Sequence, residues 1–279
     1  MRRCVLCCFA LLLSQWTVGT AAHADVIKLV SRGADWPPLY YQNAEGQWQG
    51  IDVDIITALA QEAGIEVEFV SVPWARALAE LKRGSISLLP NLSKTDERSE
   101  FTHWIGPVRK EKMGLITHAD HADLPIRSLN DFTTQRRLLN KRFGIQNGIF
   151  YSARFEAQLN QDNAFAQSFE VVSMVELNIQ KTLKRRIIGF IEDPLFFSYQ
   201  KTHNPAYASL VVHHYAIERT EEEEDIYVGV SKKVPEEIRH RLDDAFDKLN
   251  ISSKLQKIER NWANILGVPP NLVVRSHQK

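Results

Sequence analysis

Apolar segments of strand length alternate with segments of helical spacing from Val26 onward, and the same order runs through the chain twice. In the first unit, residues 26–30 read as a strand. Residues 52–63 carry Val53, Ile56, Ala60 and Ala63 near helical spacing, and Gly64 is placed to end that helix. Residues 65–72 put Ile65, Val67 and Phe69 on one face of a strand. Trp74–Arg83 is predicted helical, with Ala77, Leu78 and Leu81 inward and Gly84 as its stop. Residues 86–89 form the third strand, ended by Pro90. The second unit repeats this as strand Phe143–Gln146, a helix from near Ile149, strand 169–173, helix 175–185 and strand 187–191. Such alternation predicts mainly parallel sheets covered by helices, an α/β architecture. Two strand-like stretches, 112–119 and 226–231, join the units, and helices over 235–249 and 252–262 finish the chain. The expected organisation is therefore two lobes with two hinge crossings. Residues 25–110 and 225–279 form the first lobe, and 111–224 form the second. The acidic run 221–225 reads as a solvated bend before the second crossing.

The N-terminus reads as a secretory leader. Arg2 and Arg3 precede an apolar run over 4–13, and Ala22-His23-Ala24 supplies a small-x-small cleavage site before Asp25. The run is shorter than the roughly 20 apolar residues a spanning helix needs. Residues 1–24 are thus expected to be removed, which implies a periplasmic destination. All three cysteines, Cys4, Cys7 and Cys8, fall inside that leader. The remaining chain then has no disulfide, thiolate metal site or cysteine nucleophile. Losing Arg2 and Arg3 leaves 32 basic against 34 acidic residues, a net charge of −2. That balance argues against nucleic acid or an anionic membrane surface as partner, since both favour a basic face. The nine histidines are scattered, with no metal-ligand spacing among them, so no cofactor or metal is expected. His213 and His214, adjacent in a strand, would point to opposite faces.

In open α/β sheets ligands bind beyond the carboxyl ends of the strands. The loops there hold Asp35-Trp36-Pro37-Pro38, then Asn91, Ser93 and Thr95-Asp96-Glu97-Arg98, then Gln146, Asn147 and Gly148, and last Glu192 and Asp193-Pro194. These loops share one cleft if the two units face each other as a clamp. Arg98 sits in the first turn of a helix capped by Thr95, where a cation is disfavoured by the helix dipole. Its planar fork suits bidentate capture of a carboxylate, and the alternative is an ion pair with Asp96 or Glu97. Asp193 either caps the next helix or takes a ligand ammonium. Trp36 and Trp74 are either core or pocket walls, with Trp36 placed by Pro37-Pro38 to line a pocket. Gly148, before a helix start, allows close backbone approach to an anion.

These residues, in this order, resemble the family 3 extracellular solute-binding proteins. The carrying stretches are Trp36-Pro37-Pro38-Leu39-Tyr40-Tyr41, Gly50-Ile51-Asp52-Val53-Asp54-Ile55 and Asn91-Leu92-Ser93-Lys94-Thr95-Asp96-Glu97-Arg98. Weaker matches are Phe143-Gly144-Ile145-Gln146-Asn147-Gly148 and Ile191-Glu192-Asp193-Pro194. The resemblance implies the two-lobed type II periplasmic binding fold, a small polar ligand such as an amino acid, and an inner-membrane ABC permease as partner. It implies that Arg98 holds the ligand carboxylate, Ser93 and the backbone near Asn91 add hydrogen bonds, Asp193 takes the ammonium and Trp36 stacks on the side chain. Gly50 and Asp54 match positions read as structural. The chain departs from the family where Ile149 and Phe150 follow Gly148 in place of a hydroxyl residue. Ser87 and Ile188 stand where an Asp is often found in the third strand of each lobe. Arg76, in Trp74-Ala75-Arg76, is either a second cation near the cleft or a surface residue. An enzyme of the cyclohexadienyl dehydratase type, with Glu192 as general acid, and a receptor for a signalling partner are the rival readings.

Overall fold

The computed structural model describes residues 28–33, 36–111, 113–213 and 224–268. The leader, Asp35, His214 and most of the acidic run lie outside the described residues. The chain begins with β1 (Lys28–Gly33) and a small ribbon of β2 (Tyr41–Gln42) and β3 (Trp48–Gln49). It continues through α1 (Ile51–Ala63), β4 (Glu66–Ser71), α2 (Trp74–Arg83), β5 (Leu88–Ser93), the single turn α3 (Asp96–Ser99) and β6 (Thr102–Glu111). It then builds a second sheet from β7 (Gly114–His118), α4 (Leu129–Leu139), β8 (Phe143–Gln146), α5 (Ala153–Gln161), α6 (Asn163–Ala166), β9 (Phe169–Val172), α7 (Val175–Leu183), β10 (Gly189–Glu192), α8 (Pro194–His203) and β11 (Leu210–His213). The chain returns through β12 (Glu224–Ser231) and ends in α9 (Glu236–Ile251) and α10 (Lys254–Leu266).

The strand orders are β4-β1-β5-β12-β6 in the first sheet and β11-β7-β10-β8-β9 in the second. In the first, β4, β1 and β5 are parallel, and β12 runs antiparallel to both β5 and β6. In the second, β8 is parallel to β9 and β10, and β7 runs antiparallel to β10 and β11. One strand in each sheet therefore opposes the other four. The result is a two-lobed α/β fold of two mainly parallel sheets flanked by helices.

Local chemistry explains most element ends. Gly64 and Gly84 close α1 and α2 in the left-handed conformation, donating back to carbonyls of the last turn. Thr95 caps α3 by accepting the Arg98 N–H at 3.2 Å. Gly50, at φ 131°, starts α1 where a Cβ would lie 2.1 Å from the Leu39 carbonyl oxygen, so no other residue fits. The indole of Trp262 donates to Asp54 at 2.7 Å, tying α10 to α1.

Two expectations are corrected, and one strand was missed. Pro90 does not end the third strand but lies inside β5, which is buried throughout. Its missing N–H falls at a register shift between Tyr227 and Gly229 of β12, where the ladder is already interrupted. The helix expected near Ile149 starts at Ala153, because the Ser152 hydroxyl caps the Phe155 N–H at 3.1 Å and fixes the start there. The long strand β6 was not anticipated, since its sequence lacks a period-2 pattern: several of its residues are half-buried on both faces.

The second lobe is filled by aromatics. Phe143, Phe155 and Phe165 are fully buried and meet Phe132 and Phe169 edge-on or tilted at 4.8–6.4 Å. Each such ring buries a large apolar area and adds about 0.5–1.5 kcal/mol of ring–ring interaction. The lobes also touch one another. Trp36 meets Phe196 of α8 in a T-shaped contact at 5.7 Å, and Tyr41 meets Tyr199 at 6.0 Å. Among the described residues no helix is long and apolar enough to cross a membrane.

Candidate ligand-binding cleft

The carboxyl ends of strands from both sheets face each other and enclose a cavity of about 350 Å³. The first lobe contributes Trp36 after β1, and the segment from the end of β4 into α2 that includes Val72, Pro73 and Trp74. The second contributes Gln146 at the end of β8, Ile149, and the turn from β9 into α7 that holds Ser173, Met174 and Glu176. The walls are aromatic and aliphatic with a few polar groups, which is the usual make-up of a small-molecule pocket. Trp36, Trp74 and Gln146 were singled out in the sequence. The β9–α7 turn was not, because Glu176 in the first turn of a helix reads as an ordinary dipole partner.

A hydrogen-bonded bridge crosses the cleft beside this cavity. The Trp74 indole donates to the Gly148 carbonyl at 2.7 Å, and the Arg98 guanidinium donates to the same oxygen at 3.0 Å. Arg98 also donates to the Ser93 carbonyl at 2.9 Å. Two backbone oxygens accept from the guanidinium, and Asp96 and Glu97, the alternative partners, are exposed. Burial lowers the Arg98 pKa, against the opposing charges of Glu97, Glu156 and Glu111. Gly148 has φ 79°, and a Cβ there would sit 3.2 Å from the Trp74 ring, so glycine permits the close approach. Arg98 and Gly148 line an adjoining, more polar cavity of about 470 Å³ with Thr95, Tyr151 and Glu156. Burial raises the Glu156 pKa there. Gln146 and Ile149 border both cavities.

Behind the cleft lies a buried charge cluster. Arg109 of β6 is 1% exposed. It donates to the Asn91 side-chain oxygen, and to Glu111 at 2.8 Å, and stands 3.6 Å from Asp193. Sequence reasoning missed Arg109, because an arginine beside Lys110 in an unrecognised strand looks like a solvated charge. Asn91, at φ 58°, spends its side chain on Arg109 and not on the cleft. Asp193 is buried too, and one of its oxygens accepts the Leu195 N–H at 2.8 Å as the cap of α8. Neither Asn91, Ser93 nor Asp193 lines either cavity. Burial pushes the Asp193 carboxyl up to about 7; Arg109 opposes the rise and Glu111 reinforces it. Burial likewise raises Glu192 well above the carboxylate range, and its carboxylate accepts the Asp193 N–H at 2.9 Å. Arg76 pairs with Glu80 on the exposed face of α2, which is the surface reading. Among the described residues no cluster of His, Cys, Asp and Glu is arranged to hold a metal.

Two sheets whose strand ends meet over a shared cavity, joined by hinge strands, define the class of two-lobed solute-binding proteins. Residues 29–265 match the model of the bacterial extracellular solute-binding proteins, family 3, and the chain belongs to that family. Among curated proteins it is 26% identical over 109 residues to a "Probable histidine-binding protein" of Neisseria gonorrhoeae, covering 37% of this chain and 41% of that one. The chain spans less than half the length of the curated relatives it matches. Among solved structures it is similar to the amino acid ABC transporter substrate-binding protein AbpA of Streptococcus pneumoniae bound to L-arginine, at 25% identity and a TM-score of 0.65, covering 84% of this chain and 93% of that one. A histidine kinase sensor domain with similarity to periplasmic binding proteins shares the fold at 16% identity and a TM-score of 0.70, covering 85% and 96% of the two chains.

Proposed function

We propose that this chain is exported to the periplasm by a leader over residues 1–24. There it captures a small polar solute, an amino acid or related zwitterion, between its lobes and hands it to an inner-membrane ABC permease. One observation carries the reading. The cavity of about 350 Å³ is walled by Trp36 and Trp74 from one lobe and by Gln146, Ser173 and Glu176 from the other, so an occupant touches both lobes at once. A solute with that property shifts the clamp toward closure by its extra affinity for the closed form. The S. pneumoniae protein that holds L-arginine in the same fold supports the ligand class.

Capture without chemistry fits Glu192. Its pKa is raised as a general acid requires, but the side chain is buried, is bonded to the Asp193 N–H and borders neither cavity. The likeness to a sensor domain favours one second reading, in which the closed form docks on a signalling protein instead of a permease.

Thermal shift against amino acids, amines and carboxylates tests the proposal. A solute that binds only the folded protein stabilises it by about 2.7 kcal/mol at a hundredfold excess over Kd. The expected result is a dose-dependent rise in Tm with a nitrogen-bearing solute, together with a change in tryptophan fluorescence. A panel that leaves Tm unmoved at millimolar concentration would overturn it.

A further inference from the structure

We infer that Arg109 is a positioning residue for solute capture: it holds the buried Asp193 carboxylate by charge alone, and so leaves one carboxylate oxygen open to an ammonium on the solute. This deepens the solute-binding reading and rests on it, with Asp193 in its family role toward the ammonium. Hydrogen-bond capacity leads here first. Each terminal nitrogen of a guanidinium carries two hydrogens. Both of those on Arg109 Nη2 are donated, one to the Asn91 side-chain oxygen and one to Glu111 at 2.8 Å. Nη1 donates to the Lys110 carbonyl at 3.3 Å. Asp193 Oδ2 stands 3.6 Å from Nη2, outside hydrogen-bond range. The other Asp193 oxygen accepts the Leu195 N–H at 2.8 Å. Oδ2 itself is buried and accepts no hydrogen bond from the described residues. Asn91 of β5 and Glu111 of β6 hold the fork from the first sheet, whereas Asp193 follows β10 of the second, so the pair crosses between the lobes.

Charge leads to the same place. Burial works against the Arg109 charge, and Glu111 of its own strand, Asp193 and Asp52 of α1 outweigh it. All three carboxyl groups are buried, and Glu192 of β10 lies beside Asp193 and accepts its N–H. One fixed cation among three buried carboxyl groups leaves a place for one more positive charge. For Asp193, burial raises the pKa to about 7, and Arg109 is the largest influence against that rise. Without the guanidinium, burial together with Glu111 and Asp52 would keep Asp193 neutral well above neutral pH, and a neutral carboxyl is a poor partner for an ammonium. Arg109 therefore aids the capture of a like charge. Because it makes no hydrogen bond to Oδ2, it does so without occupying the oxygen that the ammonium needs.

Carbon-13 NMR of aspartate-labelled protein, with the Asp193 signal identified through Asp193→Asn, follows this carboxyl as pH rises. The expected midpoint is about 7 in the parent. It should stay close to that in Arg109→Lys, which keeps the charge, and rise by about one unit or more in Arg109→Gln. An unmoved midpoint in folded Arg109→Gln would overturn the inference. Where Arg109→Gln does not fold, Glu111→Gln takes its place. It keeps an oxygen for Arg109 and removes a carboxylate, so the Asp193 midpoint should fall, and a midpoint that stays put overturns the charge account. Titration calorimetry with L-arginine and L-glutamine supplies the second readout. Parent affinity should rise roughly tenfold from about pH 6 to 8 as Asp193 ionises, and in Arg109→Gln that rise should move to higher pH. A loss of affinity that is equal at every pH would assign Arg109 to packing alone and overturn the inference. An Asp193 midpoint that follows Arg109 in a protein that binds neither amino acid would support the coupling and overturn its role in capture.

Discussion

The Arg98 guanidinium and the Gly148 carbonyl meet across the cleft at 3.0 Å, one from each lobe. With Trp74 donating to the same oxygen at 2.7 Å, the contact joins the two sides of the cleft through the backbone. Arg98→Ala should then open the resting protein; the guanidinium is buried and is also bonded to Ser93 at the end of β5, so a parent-like circular dichroism spectrum is the control for folding. Hydrogen bonds from a charged donor contribute about 1.5–3 kcal/mol, so affinity should fall by about tenfold or more as the closed fraction drops. Small-angle scattering should show a larger radius of gyration, and Arg98→Lys should not restore it, lacking the fork that reaches two oxygens. A loss confined to carboxylate-bearing ligands would return Arg98 to its family role.

Asp193 gives a pH signature. Its folded pKa of about 7 is raised above the ordinary carboxylate value. The stability it contributes is therefore full below the unfolded pKa near 4 and is lost as pH rises through about 7. Asp193→Asn removes that titration and keeps a capping oxygen for the Leu195 N–H. The variant should gain Tm relative to the parent as pH climbs from about 4 to 8, with the difference levelling off above 7. A pH-independent difference in melting curves would show that Asp193 does not titrate in this window.

Gly50 and Gly46 form a natural control pair. Both have positive φ, at 131° and 77°, but a Cβ at Gly46 meets nothing within 4 Å whereas one at Gly50 strikes the Leu39 carbonyl. Gly46→Ala should cost only the left-handed penalty of about 1–2 kcal/mol. Gly50→Ala should cost at least about 2 kcal/mol more, because backbone must move. Urea denaturation of the two variants measures the gap, and equal midpoints would refute the clash.

The element order was legible because each sheet's parallel strands are short apolar runs separated by helices whose spacing is plain, as in Asp52–Ala63 against the observed Ile51–Ala63. Trp36, Trp74 and Gln146 were legible as cleft residues because topology puts strand ends there. What periodicity does not report is which polar groups the fold satisfies internally. Arg98, Asn91 and Asp193 all carry ligand-type chemistry, yet each also bonds to another part of the same chain, and only one oxygen of Asp193 is hydrogen-bonded. Arg109 shows the converse: nothing in residues 108–111 distinguishes a buried hub from a surface cation, and its partners Asn91, Glu111 and Asp193 come together only through the third dimension.

The central claim is that solute occupies the space between Trp36 and Trp74 on one side and the start of α7 on the other. Ser173 lines that space, yet is exposed and outside the core. Ser173→Trp should therefore fill much of the cavity while leaving the circular dichroism spectrum and Tm close to those of the parent. Titration calorimetry of the solute found by thermal shift is the most direct measurement. A loss of affinity of about a hundredfold or more in Ser173→Trp is the predicted result, and unchanged affinity in a folded Ser173→Trp protein would contradict the account.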